Sequence, residues 1–208
     1  LLPYKGISPS EIEAISICSV VPPLNPTFVE LCTDYFKIQP LVVERGTKTG
    51  VKILYDNPRD VGADRIVDAA AALNLYGGPI IIVDMGTAMV FDAITAGGEY
   101  LGGAIAPGIG IAADSLFHNT SLLRRVDLSK PPGAIGRNTV HAIQSGLVLG
   151  TAEMIKGMVT RFDKELGGKS KVIGTGGMTP IIQSEVDIFD HINEDLTLIG
   201  LKLIHEMN

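Results

Sequence analysis

Ile80-Ile81-Ile82-Val83-Asp84-Met85-Gly86-Thr87-Ala88-Met89-Val90-Phe91-Asp92 reads as an apolar strand, a tight link at Gly86-Thr87 and the start of a second strand. Residues 80–84, 88–95 and 99–106 are strand-like, and Gly86-Thr87 and Gly97-Gly98 join them as hairpin-type links, which makes a three-stranded meander. Downstream, 108–117 reads as a helix, 128–134 as a Pro/Gly loop and 138–159 as a long helix. In that helix Ala142, Ile143, Gly146, Leu147, Gly150 and Met154 follow helical spacing. Gly146 and Gly150 share one face and permit close backbone approach, so this face is expected to meet another helix. Residues 171–174 form a strand that turns through Thr175-Gly176-Gly177 into a helix; 186–189 is a further strand and 196–205 a closing helix. Strands and helices in this order give a mixed sheet with helices packed on it, an α/β lobe covering 78–208.

Upstream, 14–20 is an apolar run ended by Pro22-Pro23, and Asn25-Pro26 introduces a helix through Phe36. Short strands are expected over 40–44 and 51–55. A helix over 61–76 ends at Gly77-Gly78-Pro79. Residues 1–77 therefore form a first lobe, but one without an opening meander. A sheet short of its first strands leaves unpaired edge groups, so upstream residues are expected in the parent protein.

The chain has 208 residues, 46% hydrophobic and 19% charged, enough apolar material for a sizeable core. Its net charge of -6, with no Lys/Arg-rich run, is the wrong sign for a phosphate-backbone partner, and nucleic acid is not expected. No apolar run approaches the ~18 to 20 residues that span a bilayer, so no membrane partner is expected either. Cys18 and Cys32 make no CxxC and are expected to be buried reduced thiols, in keeping with the cytoplasm. The four His residues show no metal-ligand spacing.

Three motifs bear on chemistry. At Asp84-Met85-Gly86-Thr87, a residue without a side chain admits a phosphate to backbone N–H groups, the Thr87 hydroxyl adds a hydrogen bond, and the carboxylate holds a cation beside the phosphate. A tight turn whose Asp satisfies backbone donors accounts for the same residues equally well. Gly174-Thr175-Gly176-Gly177 follows a strand and opens a helix, where free N–H groups attract anions; an ordinary Gly-rich loop is the alternative. Gly62-Ala63-Asp64-Arg65 opens a helix of the first lobe. Asp64 suits proton removal from a substrate hydroxyl and Arg65 suits a substrate carboxylate, though a helix-capping Asp beside a solvated Arg reads the same way. Gly108-Ile109-Gly110 is a fragment of a dinucleotide fingerprint with no preceding βαβ unit and is discounted.

Taken in order, Tyr55-Asp56-Asn57-Pro58, Val61-Gly62-Ala63-Asp64-Arg65, the run from Asp84 to Asp92, Tyr100-Leu101-Gly102-Gly103-Ala104-Ile105-Ala106-Pro107-Gly108, Ile135-Gly136-Arg137-Asn138-Thr139 and Thr175-Gly176-Gly177 resemble type III pantothenate kinase, also known as the Bvg accessory factor family, in the acetate and sugar kinase/actin-like ATPase superfamily. The resemblance implies two actin-like (ribonuclease H-like) lobes with mixed sheets, the first lacking its N-terminal strands here. It implies ATP-dependent phosphorylation of pantothenate, with Asp64 as general base and Gly62, Ala63, Arg65 and Tyr55 on the substrate. Thr139 would reach pantothenate from the neighbouring subunit of a homodimer. Asp84 would hold a monovalent cation, potassium or ammonium, and Thr87, with Gly86, Gly176 and Gly177, would bind ATP and its Mg2+. Family members open with an Asp-x-Gly-Asn-Thr phosphate loop that this chain does not contain, and Met89 and Val90 stand where Thr is usual. A non-catalytic homologue of the same fold, or a kinase of another small hydroxy acid, are the competing functions.

Overall fold

The computed structural model describes residues 2–208. Near the N-terminus, β1 (Ser16–Ile17) pairs in parallel with β2 (Leu41–Val42). Between them runs α1 (Asn25–Leu31), with Pro26 in its first turn, where a missing N–H costs nothing, and a π-helical turn over Cys32–Phe36 continues it. There follow β3 (Lys52–Ile53), α2 (Ala63–Tyr76), β4 (Ile80–Met85), β5 (Ala88–Ile94), β6 (Glu99–Pro107) and α3 (Ile109–His118). The chain closes with α4 (Thr139–Gln144), α5 (Gly150–Glu165), β7 (Lys171–Thr175), α6 (Thr179–Ile182), β8 (His191–Ile192) and α7 (Leu196–Glu206).

Six strands form one mixed sheet in the order β3-β6-β5-β4-β7-β8. The meander read from the sequence is its antiparallel centre, with Ile82 opposite Asp92 and Asp92 opposite Gly103. β7 runs parallel to β4, placing Thr175 beside Asp84.

The unbroken apolar character of β4 has a simple cause. Successive side chains of a strand point to opposite faces, and here both faces are covered. Ile80 and Ile82 pack on one side with Ile66, Ala69 and Ala72 of α2 and Leu196 of α7. Ile81, Val83 and Met85 pack on the other with Ile143, Leu147, Val148 and Ile155 from the long helical segment. All five of these β4 side chains are 1% exposed or less, and each contributes roughly 1.5–3 kcal/mol by leaving water. α7 lies against α2 because Gly200 has no Cβ: one would collide with the Val67 carbonyl oxygen.

Four local expectations are revised. Residues 186–189 are not a strand; Asp190 donates its N–H to the Val172 carbonyl and accepts the Val172 N–H on its carboxylate, so pairing beside β7 starts only there. The helix after Gly176-Gly177 is only four residues long, Thr179–Ile182. The long helix does run from Thr139 to Glu165, but a π-helical turn over Ser145–Leu149 interrupts it. Its Gly146 and Gly150 face meets no helix among the described residues, since a Cβ on either would find nothing within 4 Å.

The expected lobe boundary at 77/78 falls between α2 and β4. β3, on its N-terminal side, is hydrogen-bonded to β6 as an edge strand of the larger sheet. Among the described residues no helix is long and apolar enough to cross a membrane, and Cys18, half-buried, and Cys32, buried, are free thiols.

Candidate active site

α2 begins at Ala63 behind Gly62, which provides no side-chain cap. Asp64 occupies the first turn, where the free N–H groups of a helix favour a carboxylate. Its Oδ1 accepts the Arg65 backbone N–H at 2.8 Å. The other oxygen is free for a ligand. A Cβ on Gly62 would collide with that same Oδ1, so a larger residue before the helix would push the Asp64 carboxylate aside.

Asp84 stands one residue before the end of β4, and the two glycine turns close on it from either side. A Cβ on Gly86 would lie 3.2 Å from Asp84 Oδ1, and one on Gly176 would collide with that oxygen and with the Met85 backbone. Gly176 has φ +94°, a conformation that L side chains rarely adopt. The Met178 N–H donates to the Met85 carbonyl at 2.9 Å and fastens the second turn to β4. Thr87 is exposed at the tip of the first turn, and the Gly108 N–H donates to its carbonyl at 3.2 Å. Gly177 is exposed, with open space around it. Because α6 is so short, the helix-end attraction expected from the sequence does not apply, and an anion at this second turn would meet only the amides of the turn itself.

The carboxylates are electrostatically coupled. Burial, with the charges of Asp64 and then Asp92 adding to it, pushes the Asp84 carboxyl up to about 6. Asp84 gains no compensating hydrogen bond. Burial likewise takes Asp68, one turn after Asp64 on α2, to about 7, with Asp84, Asp64 and Asp92 adding to the rise and a hydrogen bond from Thr197 opposing it. Four carboxylates acting on one another, with Arg65 as the cation paired among them, give a region that favours a bound cation. Asp84 fits that role: among the described residues it is unpaired, and the missing Cβ atoms of Gly86 and Gly176 leave a cradle beside it. Among the described residues no three His, Cys, Asp or Glu side chains cluster as a metal cage. A cation at Asp84 would therefore complete its shell with ligand phosphate and water, as Mg2+ commonly does.

Arg65 is held from below. Its Nη2 donates to Asp92 Oδ1 at 2.6 Å and its Nε to the same oxygen at 3.1 Å. The Tyr100 hydroxyl donates to that oxygen too, at 2.6 Å, and the guanidinium carbon lies 5.7 Å from the Tyr100 ring centre. Tyr55 packs beside Tyr100 with ring centres 6.4 Å apart, and a Cβ on Gly102 would lie 2.9 Å from the Tyr55 ring. Tyr55, Gly62, Ala63, Asp64 and Arg65 thus gather around the α2 start and β6.

Sequence reasoning assigned no role to Asp92, Tyr100, Asp68 or Thr197. Asp92 had a signal: a carboxylate inside Met89-Val90-Phe91-Asp92-Ala93-Ile94 is buried with its strand and must find a partner. Asp68 had a similar one among the alanines of α2.

Thr139 is not brought to Asp64. It is exposed at the start of α4, behind the Asn138 cap, whose side chain accepts the His141 N–H at 2.9 Å. With Leu116, Arg137, Ala142 and Gly146 it lines an open groove of about 680 Å³ on the uncovered face of the long helix.

The sequence model of type III pantothenate kinase matches residues 1–161. A type III pantothenate kinase of Dehalococcoides mccartyi is 50% identical over 208 residues, covering 100% of this chain and 81% of that protein. One from Moorella thermoacetica is 49% identical over 205 residues, covering 99% of this chain and 81% of the other. Among solved structures, a Baf family protein from Campylobacter jejuni superposes with a TM-score of 0.65 at 22% identity, over 95% of this chain and 84% of that one, a likeness of fold.

Proposed function

The chain belongs to the type III pantothenate kinase family, and on that premise we infer that it transfers the γ-phosphoryl group of ATP to pantothenate, giving 4'-phosphopantothenate, the first step of coenzyme A biosynthesis. The observation that supports the residue assignment is the nearness of Asp64 to Asp84, where the two glycine turns meet: the Asp64 charge adds to the burial that holds the Asp84 carboxyl above its ordinary value.

Asp64 is the general base. With Oδ1 occupied by the Arg65 N–H, its free oxygen takes the proton of the substrate hydroxyl as that oxygen bonds to the γ-phosphorus and the bond to ADP breaks. Tyr55, Gly62, Ala63 and Arg65 hold pantothenate, with the guanidinium on the carboxylate. Gly86, Thr87, Gly176 and Gly177 approach the phosphates with backbone amides and one hydroxyl. A Mg2+ accompanying ATP and a monovalent cation, potassium or ammonium, at Asp84 neutralise phosphate charge when bound. Residues 1–77 serve the substrate and 78–208 the nucleotide, as two actin-like lobes joined where β3 and α2 of the first pack on the sheet of the second.

The protein acts as a cytoplasmic homodimer. The exposed Ala142, Gly146 and Gly150 face supports this reading, because small residues with nothing against them suit close approach of a second copy, and Thr139 lies at the end of that face. Incubation of the full-length protein with pantothenate, ATP, Mg2+ and potassium should yield ADP and phosphopantothenate in equal amounts by mass spectrometry. ADP formed without phosphopantothenate would contradict the assignment.

A further inference from the structure

One edge of the Arg65 guanidinium is fixed by a carboxylate lying behind it. Nε and Nη2 are committed to Asp92, and the two side chains are only 10% and 3% exposed. Among the described residues Arg65 Nη1 has no hydrogen-bond partner, and it is not one of the fully buried atoms left without one. Asp92 is in turn fixed by Tyr100, whose hydroxyl shares Oδ1 with the guanidinium. Gly103 of β6 lies against the group: a Cβ there would collide first with the Phe91 carbonyl oxygen and would also sit 2.8 Å from Asp92 Oδ1 and 2.9 Å from Arg65 Nη2.

We propose that Asp92, with Tyr100, is a positioning residue for the substrate acid: it locks the Arg65 guanidinium so that the uncommitted edge of the fork meets the carboxylate of pantothenate. The proposal rests on the reading of Arg65 as a pantothenate ligand. A guanidinium carries five N–H donors in one plane and can bridge two carboxylates, one on each edge. Without Asp92 the long side chain is free to swing toward Asp64, Asp84 or solvent, and each substrate encounter must order it afresh. Asp92 also balances the charge of Arg65, so recognition depends on the planar hydrogen-bond match rather than on net attraction. Such a site discriminates against neutral analogues by geometry. Neither Asp92 nor Tyr100 needs to touch the substrate.

Steady-state kinetics of the full-length protein test this. Asp92→Asn should raise the KM for pantothenate about tenfold, a typical cost of losing a charge-assisted hydrogen-bonded partner, and leave the KM for ATP within about twofold. Tyr100→Phe removes one hydroxyl, is the milder change, and should move the same KM in the same direction by about threefold. With pantothenamide, whose carboxylate is replaced by a neutral amide, parent and Asp92→Asn should agree in kcat/KM within about twofold, since the recognition in question is absent. A purely structural role would raise both KM values or lower activity on both acceptors alike, and that result overturns the proposal. Should Asp92→Asn fail to fold, Tyr100→Phe decides by the same comparison. If Arg65→Ala raises the pantothenate KM while folded Asp92→Asn does not, positioning by Asp92 is wrong and the Arg65 reading stands. If Arg65→Ala also leaves it unchanged, the Arg65 reading itself fails.

Discussion

Gly176 approaches Asp84 so closely that a Cβ on Gly176 would collide with the Asp84 carboxylate oxygen, although the two residues are far apart in sequence. Register explains the contact. Asp84 is paired with Thr175 across parallel β4 and β7, so the turn that follows one strand folds over the end of the other. Parallel neighbours deliver two turns to the same edge of the sheet, and a ligand bound there is gripped by both.

Gly176→Ala should therefore be costly twice over. Its φ of +94° puts strain of about 1–3 kcal/mol on any other residue, and the Cβ displaces Asp84 besides. Urea unfolding should show the stability loss, and the KM for ATP should rise. Gly177→Ala, at an exposed position with open space around it, should leave stability within about 0.5 kcal/mol. Equal effects from the two substitutions would contradict the convergence on Asp84.

Asp84→Asn removes the charge assigned to the cation while keeping the shape of the side chain. Turnover should fall by about 100-fold or more, and the remaining activity should no longer depend on potassium concentration. Titration of activity against potassium in parent and variant checks this; a variant that keeps the parental potassium response would place the cation elsewhere.

Asp68 supplies a pH dependence whose sign can be worked out. Its carboxyl lies at about 7 in the fold against an ordinary 3.8, because burial raises it. Between those values the folded chain binds more protons than the unfolded chain, so stability falls as pH rises from about 4 to about 7 and the loss is complete above that. Asp68→Asn removes this contribution, and its amide still bonds to Thr197. The drop in unfolding free energy between pH 5 and pH 8, measured in urea, should shrink by roughly 1–3 kcal/mol. An undiminished drop would show that Asp68 ionises normally.

On the uncovered helix face, Gly150→Glu adds a charged side chain where a Cβ meets nothing within the chain. The variant should fold normally and sediment as a monomer, whereas the parent should sediment as a dimer. Thr139→Ala should raise the KM for pantothenate more than that for ATP. A dimeric Gly150→Glu variant would move the subunit contact to another surface.

How much of this was legible in the residues differs by region. The meander was readable because Ile80-Ile81-Ile82-Val83 and the glycine links signal strands and turns locally, and α2 and α7 were readable from helical spacing closed by Gly77 and opened near Leu196. The run at 186–189 misled because Val186, Ile188 and Phe189 are apolar for packing on the core from a loop, not for pairing in a strand. Asp64 and Asp84 were singled out by the order of their motifs along the chain, since locally a capping or turn carboxylate reads the same way. The supporting layer was hidden: Asp92 holding Arg65, and Thr197 donating to Asp68 at 2.6 Å, join residues distant in the chain, and spacing carries no record of such pairs.

The most direct measurement is the pantothenate-dependent release of ADP by full-length protein carrying Asp64→Asn. With the amide unable to take the hydroxyl proton, kcat should fall by about 100- to 10,000-fold while the KM values for pantothenate and ATP stay within about threefold of the parent's. An Asp64→Asn enzyme that turns over at the parental rate would contradict the assignment of the base and, with it, the account of the site.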